Sequence, residues 1–176
     1  MQYDDKINKS IAEAALEIIS AGKPAAPDIS LVLSMKKVLG TMFMFYFKAH
    51  SFHWNVEGAN FPQYHSFFNT LYNQLHDSID PIAEHIRILG EYAPSSVSEL
   101  ALYSAITENR TPTMPAAVMF QVLLSDNKTI LNVLTVAYNQ AEIAKECGLS
   151  NFLQDKIDSH KKIEWMITST SRTTGA

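Results

Sequence analysis

The chain has 176 residues, of which 47% are hydrophobic and 18% are charged, and its formal net charge is −4. This length suits one domain with one sizeable core, while a charged fraction below the roughly 25% of ordinary soluble domains indicates that an oligomer covers part of the surface. The negative charge argues against general attraction to nucleic acid or anionic membrane, and the single cysteine excludes a disulfide framework within one chain.

The N-terminal residues predict an amphipathic helix from Asp4 to Ala21, within an extension of about residues 1–24. Gly22 and Pro24 follow this helix and are expected to end it. The first ten residues do not have the basic and then apolar build of a secretory signal, so we expect a cytoplasmic protein.

A second helix is expected to begin after Asp28 or Ser30 and to run to about His53 or Trp54. Residues 42–47 of this helix are apolar on every side, so the helix must be covered on every side. The longest apolar run, residues 38–47, is shorter than the roughly 20 residues that a membrane span needs, and we therefore predict no membrane insertion.

Three further segments have helical periodicity, and stretches that contain proline or glycine separate them. They run from about Phe61 to Gly90, from about Pro115 to Cys147 and from about Ser150 to Ser169, and a short helix is predicted near Ser96–Ile106. Gly148 is expected to end the long helix before it, Ser150 to cap the last helix, and residues 170–176 to form a loose tail. The whole chain, 1–176, is thus predicted to be a single all-α domain: a four-helix bundle with a short helix in its middle connection and an extra N-terminal helix.

Most of the histidines lie close together in the sequence. Five of the six fall within residues 50–85, namely His50, His53, His65, His76 and His85. The same window contains Asp77, Asp80 and Glu84. Imidazole and carboxylate groups are the ligands of iron, manganese and zinc sites, so this window is a candidate metal site.

The helix predicted from about Phe61 to Gly90 places four of the candidate polar residues on one face. At 100° per residue, His65, Asn69, Asp80 and Glu84 point in nearly the same direction. However, the 19 residues from His65 to Glu84 span roughly 28 Å of helix, which is too long for one metal site. This helix alone therefore cannot complete the site within one chain.

An antiparallel pairing of two copies of this helix would bring the separated groups together. The His65 end of one copy would lie beside the Asp80 and Glu84 end of the other, and a twofold interface would form two equivalent sites. His53 could fold back beside His65 across the loop at residues 55–63. A stable monomer that still bound iron stoichiometrically would contradict this hypothesis.

The two segments 50–68 and 75–90 resemble the Dps family of mini-ferritins. The shared features are the sequence His53-Trp54-Asn55, Gly58, Phe61, a second histidine twelve residues after the first, and the spacing of Asp80 and Glu84. The resemblance implies a ferritin-like bundle that assembles into a hollow shell, a dodecamer built from twofold dimers. It also implies that His53, His65, Asp80 and Glu84 bind iron and catalyse its oxidation. No organic cofactor is implied.

The activity that this resemblance implies is oxidation of Fe(II) by hydrogen peroxide or O2, with storage of Fe(III) mineral and protection against oxidative damage. Ordinary ferritins use Glu-x-x-His pairs. The sequence has none, which favours a site shared between subunits. His50, His76 and His85 are expected to be structural or exposed, and Trp54 to pack at the interface. Most of the acidic residues of the last two helices are expected to be solvated, and those considered as pore residues are Asp126, Glu142, Glu146 and Asp155.

Two residues depart from the family pattern. Asn69 occupies a position where the family has an aspartate ligand, and a neutral amide is a weaker ligand for a hard cation. Pro81 follows Asp80 directly and removes a helix hydrogen bond. The site could therefore hold one or two irons, with Asn69 as a weak ligand or a hydrogen-bonding residue and His76 and Asp77 as potential substitutes. The alternative function is a structural or iron-binding shell with an impaired, non-enzymatic centre.

The termini do not predict DNA binding. The first 20 residues contain Lys6 and Lys9 but also four acidic residues, and the C-terminal tail contains only Arg172. Neutralising DNA phosphates needs several clustered cations. We therefore expect weak or no DNA binding through the termini at physiological salt.

Overall fold

The computed structural model describes residues 28–111 and 113–171, which form five helices and contain no strand. The helices are α1 (Ile29–Asn55), α2 (Phe61–Ile88), α3 (Val97–Tyr103), α4 (Ala116–Ile143) and α5 (Cys147–Ser171). The four long helices form a bundle in which α1 packs against α2, α4 and the short α3, and α4 packs against α5. The predicted all-α bundle is confirmed. The helix predicted for Asp4–Ala21 and tail residues 172–176 lie outside the described ranges, while residues 170 and 171 still belong to α5.

Helix α1 is the central helix of the bundle. Asp28 caps it, as predicted, because its carboxylate accepts hydrogen bonds from the backbone N–H groups of Ser30 and Leu31 at 2.9 and 3.3 Å. By length and composition α1 could cross a membrane, since an 18-residue window has a mean hydropathy of 1.3. However, 56% of that window is buried inside the bundle, so the other helices already cover much of its apolar surface.

The short helix α3 lies against α1 at a glycine. A Cβ atom at Gly40 would overlap the carbonyl oxygen of Leu100, so only glycine allows this close approach. The next residue, Thr41, accepts a hydrogen bond from the backbone N–H of Ala105 at 3.0 Å. These contacts fix the connection between α2 and α4 on the surface of α1.

Aromatic packing brings the end of α1 beside the start of α2. The rings of Phe68 and Phe120 stack with centroids 4.9 Å apart, and Phe52 packs against Phe68 at 6.1 Å. The intervening turn requires Gly58, whose φ of 120° is unfavourable for residues with a side chain. Since Phe52 precedes His53, this packing also fixes the position of that histidine.

The turn between α4 and α5 differs from the prediction. Helix α4 ends at Ile143, and Lys145 adopts a left-handed conformation with φ 60°. The N–H of Glu146 bonds to Ala141 O at 2.9 Å and closes the turn, as in a Schellman motif. Gly148 therefore does not end α4, and Ser150 does not cap α5. Both residues already belong to α5. The chain turns earlier, at Lys145, which adopts the left-handed conformation that is usually found at a glycine.

A buried ion pair joins α1 to α4. Lys48 donates a hydrogen bond to the carboxylate of Asp126, and the two side chains are only 5% and 16% exposed. Burial raises the pKa of Asp126, although the hydrogen bond and the charge of Lys48 oppose that shift. Asp126 is therefore a paired and largely buried residue of the helix interface and not a solvated acid.

A buried histidine and a buried asparagine connect α4 and α5. His160 Nδ1 is 2.7 Å from Asn127 Oδ1, and Asn127 Nδ2 donates to the His160 carbonyl at 2.9 Å. The His160 side chain is almost fully buried, and this burial lowers its pKa to about 3.

We expect His160 to make the fold sensitive to acid. Its folded-state pKa of about 3 lies below its ordinary value of 6.5, so between these values the unfolded chain binds more protons than the folded one. The free energy of unfolding should therefore decrease as the pH is lowered through this window, by up to about 1.4 kcal/mol per pH unit.

Denaturant unfolding at about pH 7 and about pH 4.5 tests this expectation in the wild type and His160→Gln. The variant should be less stable at neutral pH but should lose less stability on acidification, because glutamine does not titrate. Equal losses in both proteins would assign the acid sensitivity to other groups.

Candidate functional site

Two predicted iron ligands, His53 and His65, lie side by side where α1 ends and α2 begins. Their rings stack with centroids 3.8 Å apart. His53 Nδ1 lies 3.0 Å from the backbone carbonyl of His65, and His65 Nδ1 lies 2.9 Å from the carbonyl of His53. Because a carbonyl oxygen only accepts hydrogen bonds, each Nδ1 must carry the proton. Each Nε2 then has a lone pair for a metal ion, the arrangement typical of histidine ligands.

A second group of aromatic side chains surrounds this pair. His50 stacks on Tyr72 with centroids 3.9 Å apart and contacts Trp54 at 4.4 Å. Its Nδ1 lies 3.3 Å from the hydroxyl of Tyr46. Burial lowers the pKa of His50, and the neighbouring His53 and His76 lower it further. His50 therefore belongs to an aromatic wall beside the two stacked histidines, where its surroundings disfavour the protonated ring.

Asn69 lies one helical turn after His65 and is exposed. The hydroxyl of Tyr72 donates to Asn69 Oδ1 at 2.9 Å. This hydrogen bond uses the amide oxygen, which is the atom that would have to bind a cation. Asn69 is therefore engaged with Tyr72 in this structure.

The predicted carboxylate ligands lie towards the other end of α2. Helix α2 continues through Pro81, and Asp80 and Glu84 are both exposed on it. With a rise of 1.5 Å per residue, His65 and Asp80 are separated by roughly 22 Å along the axis. Within residues 28–111 and 113–171, one protomer has no group of three or more His, Cys, Asp or Glu residues that could hold a metal. The structure thus brings His53 and His65 together, and it leaves Asp80 and Glu84 apart from them.

The other histidines of the window lie away from the stacked pair. The exposed His76 is 3.8 Å from the carboxylate of Asp77, a contact between two well-solvated side chains. His85 packs against Phe152 with centroids 4.4 Å apart, and burial lowers its pKa. The structure does not turn His76 or Asp77 towards the stacked histidines as replacements for Asn69.

Sequence reasoning missed the two tyrosines of this region. Tyr46 lies four residues before His50, a helical spacing that could have indicated the contact. Tyr72 lies three residues after Asn69 in α2, a spacing that could likewise have indicated their hydrogen bond. Its contact with His50, however, joins two different helices. No local pattern predicts a contact of that kind.

The chain is similar to proteins of a known family. Residues 34–174 match the ferritin family, described as a ferritin-like domain. The chain is 28% identical over 145 residues to the DNA protection during starvation protein of Brevibacillus brevis, covering 82% of this chain and 96% of the relative. It is 25% identical over 133 residues to the Helicobacter pylori protein of the same name, covering 76% and 92%. The crystal structure of Dps from Staphylococcus aureus superposes with a TM-score of 0.79 at 26% identity, covering 85% of this chain and 99% of that one.

Proposed function

Because the chain belongs to the family of ferritin-like domains and its relatives include Dps proteins, we propose that it binds and oxidises Fe(II) at sites shared between two subunits. His53 and His65 of one subunit would bind the ferrous ion together with Asp80 and Glu84 of its mate. The main support is the pair of Nδ1–carbonyl hydrogen bonds, which leaves both Nε2 atoms as ligands.

The surface around the two histidines also supports a shared site. Phe47, Trp54 and Phe61 are 47%, 57% and 41% exposed, although all three are large and apolar. Phe61 contacts His65 at 4.9 Å, and Trp54 contacts Phe47 at 6.1 Å. A second subunit that packed on these rings would bury them and could bring its own carboxylates to the histidines.

The chemistry assigned to this site is transfer of electrons from iron to an oxidant. Two ferrous ions each lose one electron, and one hydrogen peroxide accepts both, so that its O–O bond breaks and, with two protons, water forms. Imidazole nitrogens suit the ferrous ion, and the carboxylates offset the added positive charge of the ferric product. We propose that a closed shell of twelve subunits in the cytoplasm then stores the ferric mineral and so protects against oxidative damage.

An iron titration tests this function. Purified, iron-free assembly is loaded anaerobically with Fe(II), peroxide is added, and the ferric absorbance is followed beside a protein-free control. Oxidation much faster than in buffer, with ferric iron retained by the protein on size exclusion, is the expected result. A rate equal to that in buffer would contradict the proposed ferroxidase.

The second candidate function is a shell that binds iron without oxidising it efficiently. The observation in its favour is the hydrogen bond from Tyr72 to Asn69 Oδ1, which uses one of the two lone pairs of the atom that would bind a metal. This function predicts retention of ferrous iron at the site together with a rate equal to that in buffer. The same titration therefore separates the two candidates.

We expect the substitution Asn69→Asp to strengthen a second iron position near His65. It adds one negative charge and a carboxylate oxygen that Tyr72 does not fully occupy, and we expect roughly tenfold tighter binding of the second Fe(II). Asn73→Asp is the matched control, because it adds the same charge one turn further along α2. Anaerobic calorimetry with Fe(II) measures both variants. Equal changes in the two would show only a general effect of charge.

DNA binding stays a separate question. Two relatives carry names that refer to DNA protection, and those names describe the relatives. The sparse cations of the termini still predict that this protein retains little DNA at physiological salt.

A further inference from the structure

A cavity of about 230 Å³ lies between α2 and α5, and none of the predicted iron ligands lines it. Its polar lining consists of side chains from both helices: Gln74, Asp77, Ser78, Lys156, Ser159 and His160. Asp77 lies at the rim, since its side chain is 83% exposed, whereas His160 is only 2% exposed. The cavity is thus a polar recess with a buried histidine at its base.

The protonation state of His160 follows from its partner Asn127. Asn127 Nδ2 donates to the His160 carbonyl, so the other amide atom, Oδ1, faces His160 Nδ1 as an acceptor. His160 Nδ1 must therefore carry the proton, and Nε2 carries a lone pair. In the part of the chain that the structure describes, this Nε2 has no hydrogen-bond partner. Because His160 lines the cavity, a donor from a ligand or from water can reach this acceptor.

Lys156 supplies positive charge on the same wall of the cavity. Its ammonium donates to Ser78 Oγ at 3.2 Å, which uses one of its three donor hydrogens. Burial lowers the pKa of Lys156, while Asp155 and Asp77 raise it. The ammonium is thus partly removed from water and has hydrogens left to donate, next to the hydroxyls of Ser78 and Ser159.

We propose that this cavity binds one hydrogen phosphate ion, a tetrahedral oxyanion that carries both negative charge and a hydroxyl. The P–OH group donates to His160 Nε2, and the charged oxygens accept from Lys156 and from the hydroxyl of Ser159, since the Ser78 hydroxyl already donates to the Gln74 carbonyl. The carboxylate of Asp77 opposes an anion, but it lies in solvent at the rim, where its charge is screened.

The lone pair of His160 predicts selectivity among tetrahedral anions. Sulfate has the same shape but carries no proton at neutral pH, so one of its oxygens would face the Nε2 lone pair without a hydrogen between them. A phosphate monoester is mostly a dianion without a hydroxyl at that pH. We therefore expect sulfate and monoesters to bind at least about tenfold more weakly than inorganic phosphate.

Calorimetry on the complete, iron-free protein in phosphate-free buffer tests the selectivity. Inorganic phosphate, sulfate and glycerol phosphate are titrated separately, because ferric iron would itself bind phosphate. One phosphate per chain and at least about tenfold weaker sulfate are the expected results. Equal affinities would show an unselective anion site and overturn the proposal, as would a cavity that holds water only and gives no heat with phosphate.

Variants and crystals locate the ion. Lys156→Met should weaken phosphate binding about tenfold or more, whereas Lys162→Met, a change to an exposed lysine of the same helix, should leave it unchanged. If Lys156→Met does not assemble on size exclusion, Ser159→Ala gives the same test with a smaller loss. Crystals soaked in arsenate should show anomalous density beside His160 Nε2, and crystals soaked in selenate should not. Density elsewhere, or density for both anions, would contradict the assignment.

Discussion

A protein that contains both His65→Ala and Glu84→Ala subunits should recover iron oxidation that neither variant shows alone. Each single variant should lose about 100-fold or more in the rate of Fe(II) oxidation, because loss even of a hydrogen-bond partner of a metal ligand costs roughly 10–100-fold. In a mixed dimer, one site combines both changes and the other combines only wild-type residues. Random mixing should therefore restore about a quarter of the wild-type rate.

This recovery discriminates between a shared site and a site within one chain. Co-expression with two different affinity tags isolates assemblies that contain both variants, and the ferric absorbance after addition of peroxide gives the rate. As a control, subunits with His65→Ala are mixed with subunits that carry His53→Ala. Both changes remove ligands from the same half of the site, so the mixture should stay inactive. A mixture of His65→Ala and Glu84→Ala that remains as inactive as its parents would exclude the shared site.

The second large effect concerns stability and the ion pair between α1 and α4. Lys48→Met should lower the free energy of unfolding by roughly 3–5 kcal/mol, because it leaves the carboxylate of Asp126 buried without its partner. The two side chains are 5% and 16% exposed, so water cannot easily replace the lost ammonium. Denaturant unfolding at fixed protein concentration measures the change.

Two further variants test the reason for this loss. In Lys48→Met/Asp126→Leu both charges are absent, and most of the lost stability should return, since apolar residues often replace a buried pair without cost. In Lys161→Met the broken pair is the exposed one with Glu164, whose lysine is 62% exposed, and the loss should stay below about 1 kcal/mol. A similar loss for Lys48→Met and Lys161→Met would show that burial of the ion pair is not the cause.

Regular features of the chain were predictable because they depend on neighbours in the sequence. The periodic apolar residues predicted the four long helices, and Asp28 was recognised as a cap because its side chain bonds to N–H groups two and three residues away. The end of α4 was not recognised. A left-handed residue at the end of a helix is usually a glycine, so Gly148 was expected to mark the end of α4. In the structure Lys145 adopts that conformation instead.

Some features of the candidate site were likewise predictable from the sequence, and others were not. The spacing of His65, Asp80 and Glu84 on one helix was sufficient to predict that one chain cannot bring them together through α2. The choice of histidine nitrogen was not predictable, because it depends on carbonyl groups twelve residues away across a turn. The contact of Tyr72 with His50 also depends on how closely α1 and α2 approach.

The low charge and high apolar content of the sequence indicated a protein that hides part of its surface, and helix periodicity determined the bundle class. Only the tertiary structure decided where buried polar groups find their partners. Lys48 pairs with Asp126 and His160 with Asn127 across helix interfaces, over 78 and 33 residues of sequence. The physical reason is that helix formation is governed by short-range bonds and periodic burial, whereas a buried charge or imidazole is placed by the packing of whole helices.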